Sequence, residues 1–266
     1  MTKKINPRQP ALRGKLTAAE PSTDLTGRLT LLLERAQQSE NLFASPLGPF
    51  WHGGRSHFLP RFVYFGPDAS GDPLRLAVLA GLGRHDAAAS RALLAFLEGA
   101  VNGPGFGPGI NLSVFPVLNL VGQLADEDRD LAGESWSQSR LPEIELARQD
   151  AQLRCYHVFV RLETSPDDEP TAWVRAILGT GARPTGVRIF TSEDFDSWPV
   201  RFETLTAGAV NGGPLTLADD LPQAPIEVTL ALPSSWPQAR MDRSVNRILR
   251  RLFASYHAFL AFGQHL

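Results

Sequence analysis

The sequence contains one cysteine and shows almost no charge imbalance. Its 266 residues include 26 Lys and Arg against 28 Asp and Glu, which gives a formal net charge of -2. A lone cysteine, Cys155, excludes an internal disulfide and a zinc cluster built from cysteine thiolates. Because the chain lacks the basic excess that accompanies nucleic-acid binding, we expect no nucleic-acid partner.

Long apolar runs are missing as well. No uncharged stretch approaches the roughly 20 residues that a membrane-spanning helix needs. The beginning of the chain, MTKKINPRQPALRGKL, is positively charged but has no apolar segment of the kind found in secretion signals. We therefore expect a cytoplasmic protein without a membrane partner.

The sequence does contain enough apolar residues, 43% of the total, to bury one large core. Residues 1–23 are polar and contain proline, so we expect a flexible N-terminal arm there. The remaining residues, 24–266, are predicted to form a single domain. No internal repeat divides it.

Apolar strand-like runs alternate with helical patterns, which predicts an α/β fold. The turn signal PDASGDP at 67–73 suggests that the strands on either side of it pair with each other. Residues 43–60 lack clear periodicity and are predicted to form a surface loop. Residues 164–222 are rich in Pro, Gly and Asp and could form a lid. The predicted strands are 61–65, 74–80, 112–118, 154–162 and 226–232, with weaker candidates at 172–177, 187–190 and 201–206. The predicted helices run from Asp24 or Thr26 to about 38, and over 86–100, 142–153 and 239–262.

The segment 76–95 is the centre of the pattern: a buried strand, the turn Gly81-Leu82-Gly83, and a helix with Asp86 as its expected N-cap. In open α/β sheets, a turn of this kind lies beside the ligand crevice, at the carboxyl end of the strands. The turn lacks the third glycine and the lysine of phosphate-binding loops. It therefore does not predict a nucleotide site.

Five short segments follow one another along the chain. They are AGLGRH (80–85), FPVLNLVG (115–122), DLAGESW (130–136) with SRLPE (139–143), HVFVRLE (157–163) and VTLALP (228–233). In this order they resemble the motifs G-x-H-x-x-E, P-x-x-N-P-x-G, D-L-N-R before a P-E helix, a strand ending in a third zinc-binding His, and T-x-E-x-P. These are motifs of the zinc carboxypeptidases and their succinylglutamate desuccinylase and aspartoacylase type relatives. The resemblance implies a single-domain α/β fold with a mixed central β-sheet flanked by helices.

The same resemblance implies that the residues responsible for the chemistry have been replaced. A catalytic zinc needs three protein ligands and an open position for water. A substrate-binding arginine cannot be replaced by glycine, and an alanine cannot act as general base. The replacements are Leu82 and His85 for the first His and the Glu of the zinc motif, Leu162 for the third zinc-binding His, Ala132 and Gly133 for the Asn and Arg that hold substrate, and Ala231 for the general-base Glu.

Two functional hypotheses follow. In the first, the chain is a non-catalytic relative of these enzymes that has no cofactor. It acts as a binding or regulatory module for a small molecule, peptide or protein and could also form oligomers. Its possible ligand contacts are Arg84, Asp86 and Glu163. In the second, it is a metal-dependent carboxypeptidase or N-acyl amino acid deacylase, with zinc in a rearranged site of His85, Asp86 and Glu163. Glu163 weakens the second, because it follows Leu162 on a strand and is expected to point away from the site.

The last predicted helix also carries a cluster of arginines on its polar side. We interpret this cluster as a solvated face, with an acidic partner as the alternative. Its members are Arg240, Arg243, Arg247, Arg250 and Arg251.

Overall fold

The structure is a computed structural model. It describes residues 24–67, 73–101, 103, 105–124, 130–131, 139–178, 189–206 and 225–263. The predicted N-terminal arm, 1–23, lies outside this part of the chain, as do Ala132 and Gly133 and much of the predicted lid segment.

Within the described residues, strands and helices alternate along the chain. The helices are α1 Leu25–Ala36, α2 Ala87–Val101, α3 Leu120–Leu124, α4 Pro142–Arg154 and α5 Gln238–Gly263, with a short 3-10 helix at Ser192–Phe195. The strands are β1 Leu42–Ala44, β2 Leu47–His52, β3 Arg55–Leu59, β4 Phe62–Phe65, β5 Leu74–Ala80, β6 Ile110–Phe115, β7 Val158–Ser165, β8 Thr171–Leu178, β9 Val200–Thr206 and β10 Ile226–Pro233.

Eight of these strands form one mixed sheet in the order β1-β4-β6-β5-β7-β10-β8-β9. The four central strands, β6, β5, β7 and β10, run parallel to one another. Antiparallel neighbours join this block on both sides, β4 next to β6 and β8 next to β10. The carboxyl ends of β5, β7 and β10 therefore meet at one edge of the sheet.

One face of the sheet is covered by α1, α2 and α5, with α2 packed against the other two helices. The side chains between sheet and helices are almost entirely hydrocarbon, as the burial of Leu76, Val160 and Leu230 illustrates. Burying apolar area is the main stabilising contribution in such a layered fold, at about 25 cal/mol per Å². This face contributes much of the hydrophobic core, which continues on the α4 side of the sheet around Phe159 and Ile144.

The opposite face of the sheet carries more polar groups. Near α4, the Tyr156 hydroxyl donates a hydrogen bond to Asp150 Oδ2 at 2.6 Å, and Asp150 Oδ1 is ion-paired with Arg61. The Arg61 Nε also donates to the Ser45 carbonyl oxygen at 2.9 Å. These contacts tie α4 to the strands on the β1 side of the sheet.

Several predicted elements are confirmed. α1 begins after Asp24, whose carboxylate accepts a hydrogen bond from the Gly27 N–H at 3.3 Å, as an N-cap does. α4 begins at Pro142, the position where a missing N–H costs least. α5 places Met241, Val245 and the rest of its predicted apolar stripe against the core, although Phe259 is partly exposed.

The prediction of a surface loop over 43–60 was wrong. This segment contains β1 and the β2–β3 hairpin, in which Trp51 pairs with Ser56 and His52 pairs with Arg55. The turn consists of Gly53 and Gly54, both with positive φ. Two consecutive residues with positive φ are what a tight hairpin turn requires, and Gly-Gly is a recognised signal for it.

The predicted pairing of the strands around 67–73 was also wrong. β4 and β5 are not neighbours, because β6 lies between them and pairs with both. After β5, the chain crosses over through α2 and returns as a parallel strand, which is the ordinary geometry of a β-α-β unit. β6 occupies the position beside β5, so β4 pairs with β6 instead.

Of the weaker candidates, 172–177 and 201–206 correspond to β8 and β9. The candidate at 187–190 extends outside the described residues. In the part of the chain that is described, no helix is both long and apolar enough to cross a bilayer.

Candidate functional site

The turn that follows β5 is tightly constrained. Gly81 has φ 67°, and a Cβ atom added there would lie 2.6 Å from the Ser90 Oγ and 3.1 Å from the Val117 Cα. Its carbonyl oxygen accepts a hydrogen bond from the Asn119 N–H at 2.7 Å. Only glycine meets both the conformational and the spatial requirement. The position of the next residue, Leu82, is therefore fixed.

Leu82 and Leu162 are both completely buried and belong to the hydrophobic core. The Leu82 carbonyl oxygen accepts a hydrogen bond from the Leu131 N–H at 3.0 Å. Leu162 stands opposite Ala80 on β5 and Leu230 on β10. The two positions that the family resemblance assigns to zinc-binding histidines are thus occupied by packed hydrocarbon.

Asp86 was predicted to be the N-cap of α2, but its carboxylate faces the turn that precedes the helix. There it accepts a hydrogen bond from the Gly83 N–H at 2.7 Å. It also accepts two hydrogen bonds from Thr164 at the end of β7, one from the N–H at 2.8 Å and one from the hydroxyl at 2.5 Å. The carboxylate is 4% exposed. Both of its oxygen atoms are therefore engaged in fastening the β5–α2 turn to β7.

The other candidate residues of this turn lie nearer the surface. His85 is exposed and Arg84 is half-buried. Among the described residues, no three His, Cys, Asp or Glu are grouped so that they could hold a metal ion. His85, Asp86 and Glu163 consequently do not form the rearranged metal site of the second hypothesis within this part of the chain.

Leu162 and Ala231 lie on opposite faces of the sheet. In the parallel register of β7 and β10, Leu162 is opposite Leu230 and Glu163 is opposite Ala231. Residues opposite each other share a face, and successive residues alternate between faces. Glu163 therefore lies on the face opposite Leu162, as the strand alternation predicted, and it shares that face with Ala231.

A network of charged side chains extends from Glu163 across this face. The Arg161 Nη2 lies 2.9 Å from Glu163 Oε1, and the Arg161 Nη1 lies 4.0 Å from Glu227 Oε1. Arg175 on β8 donates to Glu227 Oε1 at 3.2 Å and to Glu203 on β9 at 3.0 Å. Five alternating charges thus bridge β7, β10, β8 and β9.

Two members of this network are buried with unsatisfied atoms. Arg161 is 5% exposed and Glu227 is 0% exposed. Among the described residues, the Arg161 Nε and the Glu227 Oε2 have no hydrogen-bond partner. A buried donor or acceptor without a partner costs about 1–3 kcal/mol. Within the described part of the chain, the polar face therefore contains one buried donor and one buried acceptor without a hydrogen-bond partner.

Burial is also the main influence on the acidity of the two buried carboxyls. It raises the pKa of Glu163 and that of Glu227 above their usual value, and the nearby guanidinium of Arg161 offsets part of the effect in each case. Asp86 adds to the increase in the pKa of Glu163. Glu163 is 24% exposed, so this carboxyl group is both perturbed and accessible.

Sequence reasoning did not identify Arg161 and Arg175 as site residues. The signal that could have identified Arg161 is the pattern of charged residues at alternate positions of an otherwise apolar strand, as in Arg161 and Glu163. Alternation of this kind places both charges on one face. It does not reveal that β8 is adjacent to β10, which brings Arg175 to Glu227.

Comparison with solved structures agrees with this topology. A metallo-carboxypeptidase from Pseudomonas aeruginosa, in complex with (2-guanidinoethylmercapto)succinic acid, matches 85% of this chain and 67% of its own, with a TM-score of 0.64 and 15% identity. The chain has a carboxypeptidase-like fold. A metallo-carboxypeptidase from Burkholderia cenocepacia matches 86% of this chain and 68% of its own, with a TM-score of 0.63 and 13% identity.

Comparisons of the sequence with protein families and with curated proteins found no match. The assignment of a carboxypeptidase-like fold therefore rests on structural similarity.

The described residues do not fit a carboxypeptidase-type zinc ion. Zinc is bound by His nitrogen, Cys sulfur or carboxylate oxygen. The side chains at Leu82 and Leu162 supply none of these donors, and both oxygens of Asp86 already accept hydrogen bonds. The candidate site is better described as a polar, ion-paired face that runs across β7, β10 and β8.

Proposed function

We propose that this protein is a non-catalytic, carboxypeptidase-like binding module. The observation that carries the proposal is the pair of fully buried leucines, Leu82 and Leu162, at the positions that the family resemblance assigns to zinc-binding histidines. Without a metal, there is no zinc-bound water of lowered pKa for a general base to deprotonate. The fold is retained, while the groups that would hold the metal are replaced by hydrocarbon.

The ligand proposed for this module is small and polar, and it carries both a hydrogen-bond donor and an acceptor. The partly exposed Glu163 carboxylate accepts hydrogen bonds, and the Arg161 guanidinium beside it donates them. Glu163, partly exposed and paired with Arg161, would form the accessible border of the site. A free amino acid or a short peptide has this combination of groups, which is the reason for choosing these as probes.

The absence of zinc chemistry is tested on protein purified without chelators. We expect far less than one zinc per chain by elemental analysis. We also expect no rise in melting temperature on adding zinc, because only a ligand that binds the native state raises it. No carboxypeptidase or N-acyl amino acid deacylase activity should be detected. About one zinc per chain, or hydrolysis that a chelator inhibits, would overturn the proposal.

The ligand site is tested by thermal shift with free L-amino acids and dipeptides. We expect at least one probe to raise the melting temperature of the wild type and to have no effect on Glu163→Gln. Glu169→Gln is the matched control, since Glu169 is an exposed carboxylate in the β7–β8 turn. An equal rise in the melting temperature of Glu163→Gln and Glu169→Gln, or no rise with any probe, would count against binding at this face.

One observation favours a second candidate function, hydrolysis by another mechanism. Glu163 combines a raised pKa with partial exposure, and these are properties of a general acid or base. Under this hypothesis, Glu163→Gln abolishes turnover of an amide or ester substrate and leaves the fold intact. The two candidates are distinguished by whether the wild type turns over any member of such a panel.

A further inference from the structure

A polar cavity of about 370 Å³ lies beside the first turns of α5. It is separate from the polar face described above and faces the segment that leads into β9. The cavity is lined by two tryptophans, three arginines of α5 and one acidic residue. These are Trp198, Trp236, Arg240, Arg243, Arg247 and Asp196.

The arginines share one side of the helix because of their spacing. Arg240, Arg243 and Arg247 are separated by three and four residues, and such positions are neighbours on a helix surface. The protein as a whole is slightly acidic, with a net charge of -2. This concentration of positive charge is therefore local and does not reflect a basic composition.

Only one carboxylate among the lining residues offsets these charges. Both oxygens of Asp196 lie 2.8 Å from the Arg247 Nη1, and the Arg251 Nη1 is 3.6 Å from Asp196 Oδ1. Within the described part of the chain, no carboxylate is paired with Arg240 or Arg243. Among the described lining residues, three arginines therefore face one carboxylate, so this part of the cavity is positively charged.

The tryptophans form a rigid wall that orients one of the guanidinium groups. Trp198 and Trp236 are nearly buried and pack edge to face, with ring centroids 5.8 Å apart. The Arg240 guanidinium carbon lies 3.8 Å from the centre of the Trp236 ring, in a stacked cation–π contact. Stacking limits the motion of the guanidinium while leaving its in-plane N–H donors available.

We propose that this cavity binds a small molecule that carries a phosphate group. Planar guanidinium groups match the geometry of phosphate oxygens, and several of them together suit an anion with more than one charge. The volume accommodates a small ligand, and the tryptophan wall could pack against its apolar part. The proposal does not depend on the proposed function, since it uses different residues on α5.

Inorganic pyrophosphate is the first probe, with citrate as a carboxylate comparison. By isothermal titration calorimetry at low salt, we expect pyrophosphate to bind the wild type more tightly than citrate does. Higher ionic strength should weaken binding, because the arginines are exposed. Binding should also change the tryptophan fluorescence, and Trp236→Phe should remove most of that change.

The variants Arg240→Ala and Arg243→Ala should each weaken pyrophosphate binding by about tenfold, as expected for losing one charge-assisted hydrogen bond. Arg55→Ala is the matched control, because Arg55 is an exposed arginine on the distant β2–β3 hairpin. All three variants should keep the wild-type melting temperature. Undetectable pyrophosphate binding, equal weakening in Arg55→Ala, or preference for citrate would overturn the proposal. Binding of an acidic peptide in place of both probes would indicate a protein partner and also overturn it.

Discussion

The Asp86 carboxylate accepts hydrogen bonds from both the N–H and the hydroxyl of Thr164, although the two residues are 78 positions apart in the chain. A third hydrogen bond, from the Gly83 N–H, holds the carboxylate at the turn after β5. The motif resemblance assigns two zinc-binding positions, Leu82 and His85, to this turn. Here its acidic side chain has a structural role.

We therefore expect Asp86→Ala to destabilise the protein by roughly 2–4 kcal/mol, since buried donors left without an acceptor cost about 1–3 kcal/mol each. Urea denaturation measures this change. The control is Asp168→Ala, which removes an exposed carboxylate and should alter the free energy of unfolding by less than about 0.5 kcal/mol. If both variants were equally stable, the hydrogen bonds to Thr164 would contribute nothing.

Leu162→Ala should lower the free energy of unfolding by about 2–5 kcal/mol, because it leaves a cavity in the core. Leu153→Ala is the matched control: Leu153 is 82% exposed, so the same truncation should have little effect. A cost below about 1 kcal/mol for Leu162→Ala would show that this position borders an open pocket. Thermal and urea unfolding of the two variants distinguish these outcomes.

The buried carboxyl of Glu227 should make stability depend on pH. Burial raises its pKa above the usual value of 4.5, so the folded state holds this proton more tightly than the unfolded state does. This contribution favours folding at low pH and is lost as the pH rises through the raised folded pKa.

Glu227→Gln removes that titration, and the variant should therefore lose less stability than the wild type as the pH rises above about 4.5. Glu163 keeps its own raised pKa, so part of the pH dependence remains in the variant. Urea denaturation of both proteins across this range provides the comparison. Parallel curves of unfolding free energy against pH would show that Glu227 does not contribute.

Replacing Asp150, the acidic partner of Arg61, should substantially lower the free energy of unfolding. Both side chains are 5% exposed, and Tyr156 also donates to Asp150. Asp150→Ala leaves a buried guanidinium unpaired, and we expect a loss of about 3–5 kcal/mol. Tyr156→Phe, which keeps the ion pair, should cost about 1 kcal/mol. Equal losses in the two variants, measured by urea denaturation, would contradict a major role for the charge pair.

Local patterns were sufficient to predict several individual elements. The cap at Asp24, the proline at the start of α4 and the apolar stripe of α5 each depend on residues that are close in sequence. The motif order, which resembles that of zinc carboxypeptidases, also led to a mixed sheet flanked by helices. The Gly53-Gly54 turn was just as local, and the hairpin could have been predicted from it.

The sequence by itself determined which chemical groups are available: leucine at positions 82 and 162, alanine at 231, and a lone cysteine. Only the tertiary structure decided that Glu163 and Ala231 share a face, that Asp86 holds Thr164, and that Arg175 reaches Glu227. The physical reason is that side-chain type is fixed residue by residue. Strand neighbours and register instead depend on which long-range packing buries the most apolar surface, and that is a property of the whole chain.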